Sequence, residues 1–100
     1  MEITKEVQGD QLTLKLMGRL DTRTAPDLEA ELRSSLDGVK ELVLDMGALE
    51  YISSAGLRVL LSAQKAMNLQ GSMRLRHVGA AVRDVLDITG FVDILTIENE

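Results

Sequence analysis

Leu12, Leu14 and Leu16 alternate with Thr13 and Lys15, which is the period of two that a half-buried strand requires. Residues 2–8 form a possible strand ahead of them and end at Gly9-Asp10, a turn dipeptide. Glu2 to Met17 is therefore expected as a β-hairpin. Gly18 to Arg23 breaks the alternation and reads as a loop. Thr24-Ala25-Pro26-Asp27 then opens a helix: Thr24 can cap it, proline is tolerated in a first turn, and an aspartate there favours the positive end of the helix dipole. Leu28, Leu32 and Leu36 recur every four residues and supply its buried stripe, with Gly38 as its end.

Leu42-Val43-Leu44, flanked by Glu41 and Asp45, is a continuous apolar run that suits a central strand. Gly47 to Ile52 reads as a loop. A second helix is expected from about Ser53-Ser54 to Gly71, a C-terminal cap. Gly56, Val59, Leu60, Ala63, Ala66 and Met67 share one face of it. Leu57 and Leu61 lie to one side, beside Arg58 and Lys65. Either a neighbouring element covers these two leucines or they are held for a partner. The expectation is that Leu61 is partly covered and that Leu57 lies at the edge of a docking surface, the alternative being that Leu57 is core. Met73 to Val78 alternates again as a strand with Arg74 and Arg76 on its wetter face. Ala80 to Thr89 is a third helix, with Val82, Val85 and Leu86 inward and Gly90 as its stop, and Ile94 to Ile97 is a last strand before an acidic end. This order implies an α/β fold, with residues 1–100 as one domain: a mixed sheet of four to five strands packed with three or four helices.

Composition narrows the partners. A net charge of −5, with Tyr51 and Phe91 as the aromatic residues, supplies neither the basic groove nor the stacking platforms of a nucleic-acid binder. The same charge disfavours an anionic membrane surface, and no apolar run approaches the roughly 20 residues that span a bilayer. The first residues lack a basic-then-apolar leader design, so the expectation is a cytoplasmic protein. Without cysteine, thiolate metal sites, disulfides and cysteine nucleophiles are excluded.

Candidate chemistry is sparse. Ser53-Ser54-Ala55-Gly56 lacks the first glycine of a nucleophile elbow, and His77, the one imidazole, is more simply structural. One histidine and scattered carboxylates give no zinc spacing. Gly79-Ala80-Ala81 lacks the lysine and hydroxyl residue of a phosphate loop. No enzyme, cofactor or metal is expected. What remains is the pair of serines at a helix entrance. One reading is N-capping, in which a serine oxygen accepts a hydrogen bond from the free N–H groups of the first turn. The other is phosphorylation. A phosphoserine there carries close to two negative charges beside the positive end of the helix, and any partner docked over it meets new bulk and charge.

The segment Tyr51-Ile52-Ser53-Ser54-Ala55-Gly56-Leu57 resembles the signature of the STAS family, named for sulphate transporters and anti-sigma factor antagonists. In the small antagonists an aromatic and an aliphatic residue precede Asp-Ser-Ser-Gly-Leu or Asp-Ser-Thr-Gly-Leu. Ser54 falls on the serine that the family's kinase phosphorylates. Ser53 stands where aspartate is common and is a second possible acceptor, and Ala55 stands where serine or threonine is common. Gly18-Arg19-Leu20-Asp21 with Thr24, Leu42-Val43-Leu44-Asp45, and Thr89-Gly90-Phe91 extend the resemblance over nearly the whole chain.

The resemblance implies an anti-sigma factor antagonist and not an enzyme. Unphosphorylated, it would bind an anti-sigma factor that is itself a serine kinase of the histidine-kinase-like ATPase fold, freeing a sigma factor. Phosphorylation at Ser54 would end binding, and a PPM-type serine phosphatase would restore it. The partner-binding surface implied comprises Asp21, Thr22, Arg23, Ser53, Ser54, Ala55, Gly56, Leu57, Arg58 and Leu61, although Asp21 can equally serve only to tie its loop down. Two other readings stand beside this one. The first is a scaffold or transporter-associated STAS subunit that binds without phosphorylation, and the second is a small nucleotide-binding enzyme.

Overall fold

In the computed structural model, which describes residues 1–98, the strands assemble in the order β1-β2-β3-β4. β1 (Glu2–Gln8) and β2 (Gln11–Leu20) form the expected hairpin, in register from Glu2 opposite Met17 to Gln8 opposite Gln11. Gly9 makes its turn with φ +63°, a left-handed conformation that a side chain disfavours. β3 (Glu41–Ile52) runs parallel to β2, and β4 (Ser72–Arg76) parallel to β3. The helices α1 (Ala25–Ser35), α2 (Ser54–Gln70) and α3 (Ala80–Thr89) follow β2, β3 and β4 in turn. Each crossover steps in the same direction along the sheet. With right-handed connections this places all three helices on one face.

That face is the core. Leu12, Leu14 and Leu16 of β2, Leu42, Leu44 and Met46 of β3, and Met73 and Leu75 of β4 join one cluster with Leu28 and Leu32 of α1, Leu60 and Met67 of α2, and Val82 and Leu86 of α3. The other face is polar. Lys15, Asp45 and Arg76 stand in one cross-strand row, and Thr13, Val43 and Arg74 in the next. Arg74 pairs there with Glu41 and Glu98, and Arg76 with Asp45.

The fold departs from the sequence expectations in a few places. Gly47 to Ile52 is not a loop but the second half of β3. Its alternation is hidden because the β2–β3 register shifts twice, between Lys15 and Met17 and between Gly18 and Arg19. At the first shift Asp45 Oδ1 accepts the Gly47 N–H at 3.0 Å and lies 3.0 Å from His77 Nδ1, fixing the irregularity from the side. β2 accordingly runs on to Leu20, past Met17. β4 stops at Arg76, not Val78, because His77 turns the chain with φ +59°. The strand expected at Ile94–Ile97 is reduced to one parallel bridge between Leu75 and Ile97. The N–H groups of Ile94 and Leu95 bond back to the Phe91 carbonyl, winding Phe91–Asp93 into a 3-10 turn. The acidic end past Glu98 lies outside the described residues. Val85 is half-buried, less inward than Val82 and Leu86.

Candidate functional site

The C-terminal ends of β2 and β3 and the first turns of α1 and α2 meet at one end of the sheet. Leu20 pairs with Ile52, and the Ser53 N–H donates to the Leu20 carbonyl at 2.9 Å, which ties the entrance of α2 to the end of β2.

The loop between β2 and α1 is held by Asp21. Its Oδ1 accepts the N–H groups of Arg23 at 3.0 Å and Thr24 at 3.1 Å. Thr24 Oγ1 accepts the Asp21 N–H at 2.9 Å and donates to the Arg19 carbonyl at 2.8 Å. Thr24 is thus the residue at the N-cap of α1, but its hydroxyl turns back to the loop and does not cap the helix. Partial burial pushes the Asp21 carboxyl upward. The N–H groups of Thr24 and Arg23, the Thr24 hydroxyl and the Arg19 charge outweigh this and hold it below the usual carboxylate range. Thr22 and Arg23 are left exposed at the tip.

Ser53 and Ser54 have different roles. Ser53 has extended backbone, φ −101° and ψ 175°, and its Oγ accepts the Gly56 N–H at 3.4 Å. It is the cap. Ser54, the first residue of α2, is exposed, and among the described residues no hydrogen bond engages its side chain. The cap is thus made by Ser53, while Ser54 keeps an exposed hydroxyl.

Beyond the serines, the face presented differs from the expected one. Gly56 is buried, and a Cβ on it would lie 2.7 Å from Leu20 Cγ and 3.0 Å from Ile52 Cγ1, so its absent side chain lets α2 press onto the strand ends. Leu57 is 4% exposed and belongs to the core, not to the edge of a docking surface. The reason is that α2 contacts β3, β4 and α1 together. Its buried arc widens to include Leu57 and Gln64 as well as Leu60, Ala63 and Met67. Leu61 is partly covered, as expected, and Arg58 is exposed. Ala55 and Arg58 line a groove of about 220 Å³ between α1 and α2, with Thr22 at its mouth and Ala25 and Pro26 on its far wall.

Two residues of these motifs that are not among the expected partner-binding residues complete this end. Arg19 and Tyr51 are register partners, and the Arg19 guanidinium lies 4.3 Å from the centroid of the Tyr51 ring. Arg19 Nε is 3.8 Å from Asp21 Oδ2. The signal available was parity: Met17 and Arg19 alternate with Leu16 and Leu20, so they face away from the core.

The imidazole is far from Ser54. His77 lies against Asp45, and from Asp45 to Ile52 the strand extends roughly 20 Å. His77 is thereby not placed as a general base on Ser54. Among the described residues no group of His, Asp and Glu is arranged to hold a metal ion, and no helix is long and apolar enough to cross a membrane.

Comparison with known proteins agrees with this architecture. The STAS domain family model matches residues 2–100. A Bordetella bronchiseptica protein bearing the name "Putative anti-sigma factor antagonist BtrV" is 41% identical, over 99% of this chain and 87% of its own length. The crystal structure of a protein from Thermotoga maritima described as a putative anti-sigma factor antagonist superposes with a TM-score of 0.90 at 20% identity, covering 98% of this chain and 86% of that one. The anti-sigma factor antagonist SpoIIAA in its unphosphorylated form gives a TM-score of 0.76 at 16% identity, covering 99% and 89% of the two chains. SpoIIAA of Bacillus in its phosphorylated form gives 0.75 at 17% identity, covering 99% and 93%. The chain belongs to the STAS domain family.

Proposed function

We propose that this protein is an anti-sigma factor antagonist whose binding is switched off by phosphorylation of Ser54. The observation that carries the reading is the division between the serines: Ser53 is spent on capping α2, while Ser54 is exposed at the helix entrance. A relative at 41% identity bears the name of a putative anti-sigma factor antagonist, and SpoIIAA, of the same fold, is known in unphosphorylated and phosphorylated forms.

The unphosphorylated protein binds an anti-sigma factor that is also a serine kinase of the histidine-kinase-like ATPase fold, and a sigma factor is freed. In the transfer step Ser54 Oγ bonds to the γ-phosphorus of ATP as the bond to the ADP oxygen breaks. The hydroxyl proton passes to a base on the kinase. The product carries close to two negative charges where the helix N-terminus tolerates them, so the antagonist stays folded. The partner surface, packed against an uncharged hydroxyl, meets a desolvated charge and is expelled. A PPM-type serine phosphatase resets the switch. Catalysis belongs to the partners, and the antagonist acts in the cytoplasm.

Tandem mass spectrometry after incubation with purified anti-sigma factor kinase and Mg-ATP tests this reading. One phosphate on Ser54, absent in Ser54→Ala and retained in Ser53→Ala, is expected. A phosphate on Ser53 alone contradicts it.

A further inference from the structure

We propose that the stacked pair Arg19 and Tyr51, with Met17 beside it, anchors the anti-sigma factor over Ser54 by taking an apolar surface and a carboxylate from that partner. This rests on the reading of Ser54 as the switch.

An interface needs a few desolvated anchors, and aromatic residues and arginine are the kinds most often found there. Leu57 cannot serve, because it is buried in the core. The exposed large apolar residues are Val7, Met17, Tyr51, Leu69, Ile88 and Ile94. Three of them belong to the far end of the molecule. Val7 pairs with Leu12 near the start of β2, Leu69 is in the last turn of α2, and Ile88 is in the last turn of α3. In a parallel β-α-β unit the helix C-terminus returns to the end where the strands begin. Ile94 leads into the bridge on Leu75. Ser54 stands where β3 ends, and at that end Met17 and Tyr51 remain.

Tyr51 is separated from Ser54 only by Ile52 and Ser53, so their Cα atoms are within about 11 Å. Met17 and Arg19 project from the same side of β2, and Arg19 pairs with Tyr51 across the strands. Tyr51 is 40% exposed and the Arg19 side chain 58%. The guanidinium is already oriented: one face lies on the Tyr51 ring, and Nε points to Asp21, whose other oxygen is bound to the loop N–H groups. Less side-chain entropy is lost when such a group is engaged. Its remaining N–H donors are open to a carboxylate on the partner, while the ring edge and Met17 offer apolar contact. The partner therefore covers the strand ends on the polar side of the sheet as well as the entrance of α2.

The test is calorimetric titration of full-length variants with the purified anti-sigma factor that binds the native chain. Tyr51→Ala and Arg19→Ala are each expected to weaken binding at least tenfold, with thermal melting close to native. Leu69→Ala and Ile88→Ala, at the far end, are expected to stay within twofold. Tyr51→Thr, which keeps strand propensity, stands in where the alanine variant melts early. Ser54→Asp is titrated in parallel. An affinity within twofold of native for either the Tyr51 or the Arg19 variant overturns the anchor. If Ser54→Asp still weakens binding in that case, the switch reading survives. If Ser54→Asp is neutral too, both fall.

Discussion

The Gly56 N–H donates to Ser53 Oγ at 3.4 Å, and this bond decides what each serine at the entrance of α2 is free to do. Replacing a serine cap with alanine costs about 1 kcal/mol in general, so Ser53→Ala is expected to lose about that much stability. Ser54→Ala, at an exposed position whose side chain is unengaged among the described residues, is expected to change stability by less than about 0.5 kcal/mol. Urea titrations of the two variants check this. Equal losses would mean that the cap is shared.

Leu57 lies inside the wide buried arc of α2. Leu57→Ala is expected to destabilise by about 2–5 kcal/mol, the range for truncating a core leucine. Partner affinity, corrected for the folded fraction, should remain near native. Denaturant unfolding with a parallel binding titration measures both. A loss under about 1 kcal/mol together with impaired binding would place the side chain at the interface.

Asp45 gives the fold an acid-sensitive point. Burial by itself raises its carboxyl. The Gly47 N–H, the hydrogen bond from His77, and the charges of His77 and Arg76 outweigh that and leave it below the usual carboxylate range. A carboxyl depressed in the folded state stabilises fully above its unfolded value of about 3.9, and that contribution disappears as the pH falls through the lower folded value. Asp45→Asn is therefore expected to cost about 1–3 kcal/mol near pH 7, and the gap to the native protein should narrow as the pH falls below about 4. Urea midpoints measured from pH 7 down to 3 check this. A gap independent of pH would show that the charge is not what matters.

Much of the fold was legible where one periodicity ran uninterrupted. Leu12, Leu14 and Leu16 announced β2, and the boundaries of α2 and α3 followed from Ser53, Gly71 and Gly90. Legibility failed where tertiary packing overrode the local pattern. The β3 irregularities shift the alternation between Asp45 and Ile52, so a strand passed for a loop. Leu57 falls outside the arc of core residues that the α2 sequence already completes, and the simultaneous contact of α2 with β3, β4 and α1, which buries it, is not written in that sequence. The signature around Ser54 was readable, but the division between cap and free hydroxyl required the hydrogen bond from Gly56. The Arg19–Tyr51 stack joins residues of two strands, and its register depends on the same hidden irregularity.

The proposed switch requires that the state of Ser54 control partner binding. Its most direct measurement compares the affinity of the purified anti-sigma factor for the unphosphorylated chain and for the same chain carrying stoichiometric phosphate on Ser54. Binding weakened at least tenfold by the phosphate, about 1.4 kcal/mol or more, is expected, with the fold unchanged by circular dichroism. Equal affinity of the two forms would contradict it.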